Sequence, residues 1–127
     1  MFKAQFAPML IQRDGASAIA FYQEAFGAVL LRRWDNDDGS VHVAELSVGE
    51  ALFHLRQEGL QNFSPQQCGG VTCIVELFTA DPDDLFTRAL NAGATQLSAM
   101  ENYDYGYRQG ILDDPFAHQW SIEKALK

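Results

Sequence analysis

The sequence predicts an α+β domain made of two βαβββ modules in tandem, and three features carry that prediction. Two helix signals open two stretches of similar length. Each helix ends in a Gly-Ala pair, and each pair is followed by runs with strand alternation. Gly27-Ala28 and Gly93-Ala94 stand 66 positions apart, a spacing that suggests an internal duplication. With 127 residues the chain suits one domain. The modules fall at about residues 1–58 and 70–127. A Gly-, Gln- and Pro-rich linker without apolar periodicity joins them over 59–69.

In chain order, the first strand is expected near Gln5–Gln12. Asp14 then caps a helix over Gly15–Phe26, because its carboxylate accepts from the free N–H groups of the first turn. Ala18, Ile19, Tyr22, Ala25 and Phe26 recur at helical spacing, and Gly27 supplies the left-handed stop. Strands follow near Val29–Trp34, Val41–Leu46 and Ala51–Gln57, on alternation and β-branched or aromatic content. The second module opens with a strand near Val71–Phe78. Its helix covers Pro82–Ala92, with Asp81 as cap, Pro82 at the first helical position, and Asp83 and Asp84 where the helix dipole favours negative charge. Gly93 ends it. The last strands fall near Thr95–Met100, Tyr107–Leu112 and Gln119–Glu123. Such modules pair into curved mixed sheets that form a half-barrel cavity.

Nine basic against seventeen acidic residues leave a net charge of −8, which argues against a phosphate-backbone ligand. No apolar run reaches the length of a membrane span, and the opening residues lack a secretory apolar core. Cys68 and Cys73, five positions apart, make no disulfide framework, and a reducing cytoplasm is the expected setting. Nucleic acid and membrane are therefore not expected partners; a small molecule is.

Three stretches resemble the vicinal oxygen chelate superfamily, the glyoxalase and bleomycin-resistance fold. They are Asp14 through Phe21-Tyr22 to Phe26-Gly27, Val41–Leu46 with Gly49–Leu55, and Tyr105–Trp120 around Asp114-Pro115-Phe116-Ala117-His118. In the last stretch Ala117 stands where the family usually has Gly. The resemblance implies a divalent metal held by His, Glu or Gln from four strands, as in the enzymes of that group. The matching positions are Ala7, His54, a position near Val71, and Ser121. Only His54 is a ligand type, although Glu123 would share a face with Ser121. No bound cofactor is expected, with a divalent ion as the alternative. His42 joins His54 on one face if a three-residue loop at Ser47–Gly49 connects their strands, and takes the opposite face if a two-residue turn at Val48-Gly49 does.

Without a metal, the candidate site is a cavity with aromatic walls: Trp34, Phe53, His42 and His54 from the first module, and Tyr103, Tyr105 and Tyr107 from the second. Arg108 either clamps an anionic ligand group or pairs with an acidic neighbour, and Ser121 occupies the vacated ligand position. Aromatic rings bind planar ligands by stacking, and the negative net charge favours a cationic one. The pattern is similar to that of mitomycin- and bleomycin-binding members, whose likeness implies a cytoplasmic homodimer that sequesters a small planar molecule. The alternative function is a metal-dependent glyoxalase-type lyase.

Overall fold

The helix caps behave as their residue types require. In the computed structural model, which describes residues 3–127, the Asp14 carboxylate accepts from Ser17 N at 3.0 Å and the Asp81 carboxylate from Asp84 N at 3.1 Å. Gly27 closes the first helix at φ +66°, a conformation that strains any residue with a Cβ. The elements are β1 (Met9–Gln12), α1 (Gly15–Phe26), β2 (Val29–Asp35), β3 (Val41–Val48), β4 (Ala51–Gln57), α2 (Pro65–Cys68), β5 (Ile74–Phe78), α3 (Pro82–Ala92), β6 (Thr95–Tyr103), β7 (Tyr107–Asp113) and β8 (Gln119–Ala125). Met1 and Phe2, where the first module was expected to begin, lie outside the described residues.

Strands form two four-stranded mixed sheets of like topology, β1-β4-β3-β2 and β5-β8-β7-β6, with the first pair of each parallel and the others antiparallel. The sheets do not close into a barrel. Helices α1 and α3 each pack on one face of their own sheet and against each other, so one face of each sheet is core and the other is left without a covering helix.

Two strands begin later than expected, while β3, β6 and β8 run two or three residues past their expected ends. β1 begins only at Met9, because Pro8 has no N–H for the ladder, although its carbonyl still accepts from His54 N at 2.8 Å. β5 begins at Ile74 rather than Val71, since Ser64 caps the unpredicted single turn α2 and Gly69, at φ +79°, ends it just before. The β3–β4 hairpin turns at Gly49-Glu50, with Val48 opposite Ala51 and Gly49 at φ +58°. That alignment matches neither loop considered for this hairpin.

The core is one cluster spanning both modules. Tyr22 of α1 is fully buried, 5.2 Å between ring centroids from Phe53 of β4 and 5.4 Å from Trp120 of β8. Phe26 lies 4.8 Å from Trp120. Each such ring contributes roughly 1.5–3 kcal/mol by leaving water.

One buried carboxylate ties this core to the turn before β8. Asp114 accepts from the Tyr22 hydroxyl, from Trp120 Nε1 at 2.9 Å, and from Phe116 N and His118 N at 2.9 and 3.0 Å. Burial, and then the charge of Asp114, push the Tyr22 phenol well above its ordinary range, so it remains a donor. The turn forces Ala117 to φ +72°. A left-handed alanine costs roughly 1–2 kcal/mol, partly offset by the freedom glycine has in the unfolded chain. Ala117→Gly is therefore expected to raise stability by about 0.5–1 kcal/mol in urea unfolding. A loss of stability would contradict this account of the turn.

Candidate functional site

Strand alternation divides the expected site residues between two faces, and the registers show which face each takes. On the uncovered face of the first sheet stand Met9, Glu45, Leu52, His54 and Arg56, joined at the sheet margin by Arg32 and Trp34. His54 Nε2 lies 3.2 Å from Glu45 Oε2, its direct neighbour across the β3–β4 ladder, and Arg32 approaches the same carboxylate at 3.7 Å. The Arg32 guanidinium also sits 4.6 Å from the centre of the Trp34 ring. Trp34 and His54 thus share the uncovered face.

His42 and Phe53 do not. The observed register puts Glu45, not His42, beside His54, and His42 takes the opposite face at an exposed strand end. Phe53, expected in the ligand wall, is 4% exposed and packs between Tyr22 and Trp120, reaching open space only where it lines the smaller cleft described below. The reason is the period of two: His54 and Phe53 are neighbours in sequence, so only one of them faces away from α1.

On the second sheet the uncovered face is aromatic and acidic. Tyr103 and Tyr107 are paired across the β6–β7 ladder, and Tyr105 in the turn between them stacks on Tyr103 at 5.3 Å and reaches Tyr107 at 6.1 Å. Phe78 of β5 extends this wall, 5.8 Å from Tyr107. Beneath it lie Ser121 and Glu123 of β8. Gln109 Nε2 donates to Ser121 Oγ at 3.2 Å, and Gln109 Oε1 accepts from the Tyr105 hydroxyl at 2.5 Å. Arg108 is absent from this face. It lies on the helix side, where it forms a two-pronged ion pair with Asp83 of α3 at 2.8 and 2.7 Å. Of the two roles open to it, the acidic-neighbour pairing is the one seen.

Glu123 is the residue that sequence reasoning undervalued. It is 1% exposed, and its Oε2 has no hydrogen-bond partner among the described residues. Burial first, and then the nearby charge of Glu76, raise its pKa, opposed by a contact with Ser121. The signal was present in the alternation of Gln119, Ser121 and Glu123 against buried Trp120 and Ile122. A carboxyl whose pKa is raised by folding holds its proton longer in the native state. Stability is therefore lost as pH rises through the interval between the ordinary and the raised value. Glu123→Gln is expected to unfold at higher urea than the parent at pH 7, and the advantage should shrink or reverse at pH 4. An unchanged difference at both pH values would contradict it.

Two clefts open where β1 and β4 approach β5 and β8. The larger, about 490 Å³, is lined by Met9, Ile11, Phe63, Cys68, Cys73 and His118 among others. His118 Nε2 lies 2.9 Å from the Ile11 carbonyl oxygen and ties the modules together there. The smaller, about 250 Å³, is lined by Phe6, Leu52, Phe53, Val75, Glu76 and Trp120 among others.

The donor set does not suit a catalytic metal. Among the described residues no three His, Cys, Asp or Glu side chains converge, whereas a divalent transition ion needs several on one point. His54 is engaged with Glu45, and Ser121 with Gln109. Among the described residues no helix is long and apolar enough to cross a membrane.

Comparison with known proteins agrees with the architecture. A sequence profile of the Glyoxalase/Bleomycin resistance protein/Dioxygenase superfamily matches residues 5–122. An uncharacterized protein of Mycobacterium bovis is 37% identical over 126 residues, covering 95% of this chain and 83% of its own length. The crystal structure of TioX from Micromonospora sp. ML1 has a TM-score of 0.78 at 24% identity, covering 98% of this chain and 100% of that one. A gene product from Arabidopsis thaliana has a TM-score of 0.74 at 26% identity, covering 98% and 99%. The tandem βαβββ modules, their matched sheet orders and the profile match lead to one assignment: the chain belongs to the glyoxalase/bleomycin resistance protein/dioxygenase superfamily.

Proposed function

We propose that the protein is a cytoplasmic binding protein that sequesters a small planar molecule on the uncovered faces of its sheets, and that it works as a homodimer. The observation carrying this reading is the wall of Phe78, Tyr103, Tyr105 and Tyr107 on a face that no helix among the described residues covers. Stacked and edge-on rings hold planar ligands with little loss of side-chain freedom. The donor set described above supports capture rather than metal-assisted chemistry.

Exposed apolar side chains support the dimer. Phe6 is fully exposed, and Leu31, Trp34, Ile74, Phe78 and Tyr105 are each more than 40% exposed. A second copy laid over the two uncovered faces would remove this surface from water. Sedimentation equilibrium at micromolar concentration is expected to give twice the 14.1 kDa chain mass; a monomer at all accessible concentrations would contradict the assembly.

Binding is tested by calorimetric titration with a panel of two- and three-ring aromatic compounds. Tyr105 is a turn residue 63% exposed in the single chain, so Tyr105→Ala should leave the folding of the chain unaffected and weaken the best binder about threefold to tenfold. Retention of full affinity in that variant would remove the tyrosine wall from the site.

A further inference from the structure

The second sheet's uncovered face has a charge pattern that its aromatic wall does not explain. Its strands place Glu76, Glu101, Asp113 and Glu123 on that side and no lysine or arginine, since Arg108 and Lys124 alternate to the other side. The first sheet differs, because its Glu45 is already matched by His54 and Arg32. Glu76 and Glu123 lie on adjacent parallel strands with Glu76 opposite Ser121 and Phe78 opposite Glu123, which makes them diagonal neighbours. Glu76 is exposed, whereas Glu123 is buried beneath the wall with one carboxylate oxygen unpartnered among the described residues. A buried, unpartnered acceptor next to a second acid is costly for folding alone and is relieved by a positive group.

Space for such a group adjoins Glu76, the exposed member of the pair. Glu76 lines the 250 Å³ cleft, whose other walls include Phe6, Leu52, Val75 and Trp120. An apolar ring seated there would place a substituent at Glu76. Phe78, two residues further along β5 on the same face as Glu76, carries the contact with Tyr107, and the ring faces of this wall attract cations.

We propose that Glu76 and Glu123 form the subsite for a cationic amine on the planar ligand, with the apolar part of that ligand in the adjoining cleft. This rests on the reading of the protein as a receptor for planar molecules, and it adds the two residues that recognise the ligand's charge. Glu76 meets the ammonium directly, and Glu123 supplies the second negative charge beneath it.

The test uses three probes of matched shape, 2-naphthylmethylammonium, 2-naphthylmethanol and 2-naphthoate, titrated calorimetrically into the full-length protein. The ammonium is expected to bind about tenfold more tightly than the alcohol, and the carboxylate more weakly than both. Glu76→Gln and Glu123→Gln should each reduce the ammonium preference several-fold while leaving the alcohol's affinity in place. Glu76→Gln alters an exposed side chain, so its result stands even if Glu123→Gln disturbs folding. Equal affinity for ammonium and alcohol in the parent protein would overturn the subsite and leave the receptor reading intact. No binding of any probe would overturn both. A third outcome also counts against the subsite: the glutamine variants dissociate the dimer without changing the ammonium-to-alcohol ratio. The pair would then serve contact between copies, for which Arg56, with its unpartnered Nε among the described residues, is the complementary group.

Discussion

Asp114→Ala is expected to destabilise the fold by about 3–5 kcal/mol, a large share of the roughly 5–15 kcal/mol that holds a domain together. The reason is the number of donors that lose their acceptor at once. The Tyr22 hydroxyl, Trp120 Nε1 and the backbone N–H groups of Phe116 and His118 all converge on this carboxylate. Tyr22 and Trp120 are buried, so water cannot replace the lost acceptor without opening the core. The damage should also be specific in place, because Asp114 joins α1 of one module to the β7–β8 turn of the other. Urea unfolding checks the magnitude. Asp114→Asn keeps one acceptor oxygen and should fall between the parent and the alanine variant. A cost below 1 kcal/mol for alanine would show that the network does not bind the modules together.

Trp120→Ala is expected to cost a similar amount, about 3–5 kcal/mol, by a different route. The indole is 2% exposed and touches the rings of Tyr22, Phe26 and Phe53 with centroids 5.4, 4.8 and 5.7 Å away. These neighbours come from α1 and β4, on secondary structure that cannot collapse freely into the vacated space. The two substitutions should not add. Removing Trp120 also removes one of the donors that Asp114→Ala would orphan, so the double variant should cost less than the sum. Strict additivity in a double-mutant cycle would contradict the coupling between indole and carboxylate.

Much of the fold was legible because helix ends are written in local chemistry. Asp14, Gly27, Asp81 and Pro82 each satisfy a backbone requirement that depends on a few neighbouring residues, and each occupies the expected place. Sheet faces are a different problem. The run Ala51-Leu52-Phe53-His54-Leu55 alternates clearly, but alternation defines two faces without stating which one meets α1. Phe53, expected in the ligand wall, is found packed in the core, with only the smaller cleft between the modules beside it. Arg108 illustrates the same ambiguity: its neighbours Tyr107 and Gln109 face away from α3, while Arg108 reaches back to Asp83.

Hairpin register was hidden for a related reason. Val48, Gly49 and Glu50 offer several turns of equal local quality, and the choice depends on which alignment buries Ala44, Leu46, Phe53 and Leu55 together against α1. That is a property of packing between distant segments. Glu123 was visible only as a neighbour of Ser121 on one strand face. Its significance depends on burial and on Glu76 from another strand, neither of which its own sequence surroundings display.

If the uncovered sheet faces capture a planar ligand with their own side chains, as proposed, binding needs no added ion. The most direct measurement is a calorimetric titration of chelator-treated, dialysed protein with the best aromatic probe, repeated with added Mn²⁺ and Zn²⁺. Saturable binding is expected at one probe per chain, with the same affinity whether or not a divalent ion is present. Binding that appears only when the ion is restored would contradict it.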